Sequence, residues 1–304
     1  MPLINYFIAP SKRFFIVYLL SAGVIALLYL WLRGRKVTMA EAKAYWLHPS
    51  ALLDYSYFVV GGLIKIYLVV PLVLSAQTIM LWVKNICLMI FGYVSLPYIG
   101  QMTITVLYTV VLFIVSDFSR YWLHRAMHAV PFLWEFHKVH HSAEVLNPAT
   151  FYRVHPVENF LFGLRYAIVV GGVTGIFIYL FGAKVQLVEI LGANALLFIF
   201  NILGGNLRHS HIELSYPTVL ERFFISPRQH QLHHSYHFTR YNYGGYLAVW
   251  DTIFGTLKIT ADAKPSPYGL GETENARFRQ LSALLITPFF EVISKWRHIK
   301  IPKN

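Results

Sequence analysis

Apolar residues run along this chain in long blocks rather than in short alternations, and the blocks mark out its elements. The first, Phe14 to Leu32, carries no charge and is followed at once by Arg33-Gly-Arg35-Lys36. About 20 helical residues cross the ~30 Å of hydrocarbon in a bilayer, so this block predicts a membrane helix. A secretory signal would have a shorter apolar core and a small-residue cleavage site, so the helix is expected to be retained. The basic flank at Arg33 then faces the cytoplasm and the amino terminus lies outside. Residues 37 to 56 are polar and interfacial, with Trp46, Tyr55 and Tyr57 as headgroup-level anchors.

A second block, from about Tyr57 to Trp82, is broken by Gly61-Gly62 and Pro71 and carries one basic residue, Lys65. No charge occurs from Asn85 to Ser116. Gly92, Pro97 and Gly100 divide that run into an interfacial part and a third span from about Met102 to Phe118, which surfaces at Asp117 and Arg120. Residues 160 to 181 and 187 to 204 read as two more spans, and the five residues Gly182 to Gln186 between them allow only a hairpin. Pro265 and Pro267 with Gly269 and Gly271 mark a loop, and Leu281 to Ile293, with Pro288 inside, reads as a surface-lying amphipathic helix.

The expected fold is an all-α integral membrane protein, a transmembrane bundle of four or five spans under a cytosolic helical cap. The count is four if residues 160 to 204 only partly penetrate. The 304 residues read as one membrane domain. Its parts are N-terminal spans and interfacial segments (1–119), a first histidine cluster (120–159), a transmembrane hairpin (160–204), a second cluster (205–260) and a C-terminal loop with an interfacial helix (261–304).

Composition agrees with lipid surroundings: 56% of residues are hydrophobic and only 13% charged, where a soluble domain has about 25% charged. The net charge of +12 does not point to nucleic acid, because the basic residues are scattered between helix ends. Only Lys12, Arg13, Lys84 and Lys184 fall on segments expected outside, and most of the rest lie on cytoplasmic segments or their borders. The single cysteine, Cys87, sits in an apolar run and excludes an internal disulfide framework.

The candidate chemistry is in the histidines. Ten of the fourteen fall in His124-x-x-x-His128, His137-x-x-His140-His141, the pair His209 and His211, and His230-x-x-His233-His234. Residues three and four apart share a helix face, so each run projects its imidazoles together. Imidazole suits first-row transition metals, and one ion takes four to six ligands, so this many histidines implies two metals sharing a pocket. Ser226-Pro227 just before His230 marks a helix start. Glu135, Glu144, Asn147, Arg153 and Glu158 are dense for a chain so poor in charge, and Asn206, Asn242 and Asp251 lie around the second cluster. Such groups either orient ligand imidazoles by accepting the outer ring N–H or are solvent-exposed.

These motifs, with Asn242-Tyr-Gly244 and Trp250-Asp251-x-x-Phe254-Gly255-Thr256, resemble the fatty acid hydroxylase and sterol desaturase superfamily over about residues 110 to 260. The resemblance implies a membrane oxygenase with a di-iron centre and O2 as co-substrate, hydroxylating a C–H bond of a sterol, fatty acyl chain or related lipid, or desaturating it. It carries His124, His128, His137, His140, His141, His230, His233 and His234 over as ligands. One or two more lie upstream of the last motif in that family, so His209 and His211 are both kept, with His237 in reserve. His155 before Pro156 reads as structural. No dinucleotide fingerprint, haem signature or Fe–S cysteine pattern is present, so electrons are expected from a cytochrome b5, ferredoxin or flavoprotein reductase. The implied setting is the bacterial inner membrane or the endoplasmic reticulum, with the metals on the cytosolic side. The rival class, a metal transporter, would need ligands near mid-bilayer, whereas the charges within the spans, Lys65, Arg165 and Glu189, lie near span ends.

Overall fold

The computed structural model describes residues 3–190, 193–263 and 266–299. Pro265 of the expected loop lies outside the described residues. The nine helices used below are α1 (Ile16–Leu32), α2 (Pro49–Ile64), α3 (Ala76–Phe91), α4 (Gln101–Ala129), α5 (Pro131–His141), α6 (Pro156–Phe181), α7 (Ala195–Ile202), α8 (Pro227–His233) and α9 (Leu281–Ile299). The only strands among the described residues are two-residue pieces, Glu189–Ile190 and Ala193–Asn194, paired antiparallel. The protein is a multi-pass, all-α membrane protein, and among the described residues three helical stretches are long and apolar enough to cross a bilayer: Pro49–Phe91, Gln101–Ala129 and Pro156–Phe181.

The three stretches lie side by side. Backbone and side chain of α3 reach α6 in increasing order, with Ala76 and Ile79 at Gly171, Met80 and Val83 at Gly175, and Gly92 O accepting from Tyr179 Oη at 3.0 Å. The two helices are therefore parallel. The glycines are required, since a Cβ on Gly171 would stand 2.5 Å from Ala76 O and one on Gly175 2.7 Å from Met80 O. Close backbone approach of this kind lets helices pack without a hydrophobic driving force between them. Along α6, α4 runs the opposite way: Gln101 bonds Lys184 O, Tyr108 bonds Thr174, and Ser116 and Ser119 accept from Arg165.

Several expectations are corrected. The second block is interrupted at Pro71 and not at Gly61-Gly62: helix α2 passes through both glycines, and a π-helical turn (Lys65–Val69) and a short 3-10 turn that holds Pro71 (Val70–Leu72) then end the helical run. Pro71 has no N–H to donate and its ring crowds the carbonyl four residues back. Helix α4 does not surface at Asp117 but continues eleven residues past Phe118. It can do so because Asp117 accepts from Tyr246 N (2.9 Å), Leu247 N (3.1 Å) and Trp250 Nε1 (3.0 Å), which satisfies a carboxylate inside the fold. Residues 187–204 are not one helix; their helical part is α7, eight residues long.

Helix α1 also differs from its expected place. Ala22, Ile25 and Tyr29 pack on Leu207, Ile212 and Leu214, and Phe15 and Tyr18 pack on Phe198. Arg13, expected on the far side, rests over Phe151 and Tyr246, and its carbonyl accepts from Asn206 Nδ2. The amino-terminal segment thus stands with the histidine-bearing cap, opposite to the end expected for it.

Candidate metal centre

Each histidine is delivered by an element whose local sequence explains it. Helix α4 carries His124 and His128 one turn apart. Val130 ends that helix and Pro131 starts α5, which brings in His137, His140 and His141. Helix α8 opens on a capping box, Ser226 with Gln229, with Pro227 in its first turn, and presents His230, His233 and the adjoining His234. His209 closes a 3-10 turn, Gly205–His209.

The imidazoles form two groups: His124, His128, His137, His141 and His233 in one, and His140, His209, His230 and His234 in the other. Within each group the ligand-capable nitrogens all lie within 4.8 Å of one another. Both His-x-x-His-His runs are split between the groups. At about 100° per helical residue, positions four apart differ by only about 40° while neighbours differ by about 100°. His137 and His141 therefore share a group while His140 crosses to the other, and His230 and His234 share that second group while His233 crosses back.

Outer contacts fix the rings. Nδ1 of His124 donates to Tyr243 O (2.8 Å), Nδ1 of His137 to Glu158 Oε1 (3.0 Å) and Nδ1 of His233 to Tyr241 O (2.7 Å). With that nitrogen protonated, the Nε2 of each is a bare acceptor. Yet these acceptors face each other, His124 Nε2 standing 3.2 Å from His137 Nε2 and 3.1 Å from His233 Nε2. His209 Nε2 likewise stands 3.1 Å from those of His230 and His234 and 3.4 Å from that of His140. Burial keeps the rings neutral, lowering His137 to about 3 and His140 to about 4 and placing His141, His209, His230, His233 and His234 well below the usual range. His128 Nε2 and both nitrogens of His141 are buried without a protein partner. Converging neutral lone pairs with nothing between them repel, and a cation relieves that. Nitrogen-only donors suit iron, zinc or copper over calcium or magnesium.

The carbonyls that hold His124 and His233 depend on a bend at Asn242, one of the residues that the sequence places around the second cluster. Asn242 between them adopts φ 58°, a left-handed conformation that Asn tolerates, and its side chain ties to Gln229 O, Lys258 O and Lys258 N. Asp251 accepts from Tyr243 N and Gly244 N, both at 2.8 Å, and from Thr256 Oγ1 at 2.6 Å. The legible signal was Asn-Tyr-Gly-Gly, turn residues followed by a buried acid. Another buried network, missed at Asp54, joins that carboxylate to Arg153 Nε (2.5 Å), Asn147 Nδ2 (2.8 Å) and Thr150 Oγ1 (2.6 Å), pinning α2 to the loop after α5.

Not every candidate reaches the centre. His211 is exposed, its ring edge-on to Tyr45 at 4.2 Å, and it belongs to neither group. His237 is exposed beside Tyr236. Of the acids and amides, Glu158 alone bonds a grouped imidazole. Glu135 is drawn away by Lys138 and Lys295, Glu144 by Arg279, Asn147 by Asp54, and Asn206 by Arg13 O. Asn242 and Asp251 act one step removed, through the Tyr241–Tyr243 backbone. His155 caps α6 and bonds Leu285 O, a structural place as expected.

The fatty acid hydroxylase family model matches residues 109–256, which hold all nine grouped histidines. That segment belongs to the fatty acid hydroxylase family. Curated relatives include lathosterol oxidase of Mus musculus, 31% identical over 145 residues (47% of this chain, 42% of the relative). Alkylglycerol monooxygenase of Homo sapiens is 29% identical over 162 residues (52% and 32%), and ornithine lipid hydroxylase OlsE of Rhizobium tropici 30% over 162 (53% and 44%). The match spans less than half the length of each of these relatives. No solved structure matches the chain. Within the fatty acid hydroxylase segment, the two histidine groups fit the paired-iron site expected of such a sequence.

Proposed function

We propose that this protein is a membrane di-iron oxygenase that hydroxylates a C–H bond of a lipid. The observation that carries the reading is the meeting of five and four imidazoles, seven of the nine buried and the other two half-buried, in two adjoining groups at the end of helices long enough to span a bilayer. The relatives' printed names join an oxidation to a lipid in each case, which supports an apolar substrate. Iron held by these imidazoles would supply the O2-activating chemistry that oxidation of an unactivated C–H bond requires.

The chain's own residues supply the rest. His124, His128, His137, His141 and His233 would hold one iron and His140, His209, His230 and His234 the other. Glu158 and the carbonyls of Tyr241 and Tyr243 keep three of the rings in the tautomer that presents Nε2. The surrounding packing, including Trp134 against His128 with centroids 4.9 Å apart, limits bulk water at the centre. The site-bearing end gathers Arg33, Arg35, Lys43, Arg228, Arg240 and Arg279, whereas Lys184 marks the opposite end beside Tyr98. This asymmetry supports a cytosolic site. We read four crossings: the three long helical stretches and a return that includes residues 185–190 and 193–204, whose end leads directly to His209.

Lipid mass spectrometry of cells with and without the protein tests the proposal. A lipid heavier by one oxygen is the expected product. One lighter by two hydrogens would make the protein a desaturase, and an unchanged lipidome in iron-replete cells would refute lipid oxidation.

A further inference from the structure

Reduced iron must be regenerated, and the cap offers one place built for electron entry. The segment from His237 to Tyr243 runs from the surface inward: His237 and Arg240 are exposed, Tyr241 is 38% exposed, and Asn242 and Tyr243 are buried. The carbonyls of Tyr241 and Tyr243 in this same segment accept from His233 and His124. From the surface backbone at Tyr241 the path to the five-histidine group is thus one hydrogen bond and one imidazole, His233, and Tyr243, buried two residues further on, adds a second bond to His124.

Cations surround the segment without carboxylate partners. Lys258 Nζ lies 5.9 Å from the Phe238 ring, Arg125 donates to Tyr121 Oη at 3.1 Å, and both Arg125 and Arg240 act electrostatically on Tyr243. Among the described residues, none of Arg125, Arg240 and Lys258 forms an ion pair. Trp122, 42% exposed and stacked by Arg125, faces outward one turn before it on α4. The other basic surface, a groove of about 470 Å³ at the end of α1 lined by Arg33, Arg35 and Arg228, is less suited, because Arg228 spends its charge on Glu213 at 2.9 Å.

We propose that the His237–Tyr243 segment, with Arg125, Arg240 and Lys258, is the docking surface for an acidic one-electron carrier protein, which passes electrons through the Tyr241 and Tyr243 carbonyls. This rests on the di-iron reading. Each turnover oxidises two carrier molecules by one electron each. Those two electrons, with two solvent protons, one O2 and one substrate C–H, give one C–OH and one water.

The test uses the full-length, iron-loaded protein in lipid nanodiscs, with the soluble haem domain of a cytochrome b5 and a plant-type ferredoxin as probe carriers. Binding is read by biolayer interferometry at low and moderate salt. Arg240→Glu with Lys258→Glu should weaken carrier binding about tenfold or more and flatten its salt dependence, because charges at an interface rim govern encounter and its screening. Arg33→Glu with Arg35→Glu should change it less than about twofold. Product formed after anaerobic photoreduction and an oxygen pulse should be equal in wild type and the Arg240/Lys258 variant. If the Arg33/Arg35 variant loses binding instead, or the Arg240/Lys258 variant binds both carriers as wild type does, the docking surface is wrong. Absence of product after photoreduction in every form would instead sink the oxygenase reading.

Discussion

At the scale of single residues, the centre depends on groups that never touch metal. Glu158 is 3% exposed and holds His137 in one tautomer. Glu158→Gln keeps the shape but can present an amide donor to that ring, so iron affinity should fall about 10- to 100-fold. A competitive metal titration reads this, and unchanged affinity would make the contact incidental. His140→Ala should abolish turnover and lower bound iron while membrane insertion persists. Arg153, 1% exposed, illustrates the opposite case, a buried charge far more structural than chemical. Asp54→Ala would strand it and cost about 3–5 kcal/mol, visible as a large drop in thermal unfolding temperature. The ligands were legible in sequence because the spacing of histidines on a helix encodes their convergence. Asp54 was not, because an acid in a segment that reads as polar and interfacial gives no sign of a buried partner 99 residues away.

At the scale of elements, the pairing of α3 with α6 turns on absent side chains. Gly171→Leu would drive a side chain into Ala76 O and Ile79, costing about 1–3 kcal/mol by overpacking. The α5–α9 contact joins apolar packing, Val139 with Leu284 and Phe136 with Phe289, to one ion pair, Lys295 with Glu135, while Lys138 ties α5 to Glu274 ahead of α9. Partial burial would raise Glu274, but its bonds to Lys138 and Arg277 outweigh that and hold it below the usual carboxylate range. Its contribution is therefore present above its unfolded pKa of about 4.3 and is lost as pH falls through the lower folded value. Melting curves from pH 7 to 3 should show the gap between wild type and Glu274→Gln shrinking below about pH 4.3, by no more than about 1 kcal/mol for so accessible a pair. Element boundaries were read less well than element types. The sequence suggested that α4 ends at its first charges, which cap contacts to Asp117 overrule, and it suggested a helix where residues 187–204 make a broken return.

Across the whole molecule, three long helical stretches among the described residues raise a cap in which the end of α4, two short helices and one turn bring histidines about ninety residues apart into adjoining groups. The membrane class and the paired-metal chemistry were plain from composition and motif. The seating of α1 along the cap was not, because a 17-residue apolar helix satisfies the demands of a bilayer and of a protein groove equally. Chelation should expose the repulsion between facing Nε2 atoms, so removal of metal should lower the melting temperature of the cap and re-addition of ferrous iron should restore it. The central claim is that the two groups are two iron sites. Its most direct test is metal content per chain, by plasma mass spectrometry, of protein purified from iron-replete membranes. The account predicts two irons per chain, falling towards one in His234→Ala; a single metal per chain, or zinc filling both places, would contradict it.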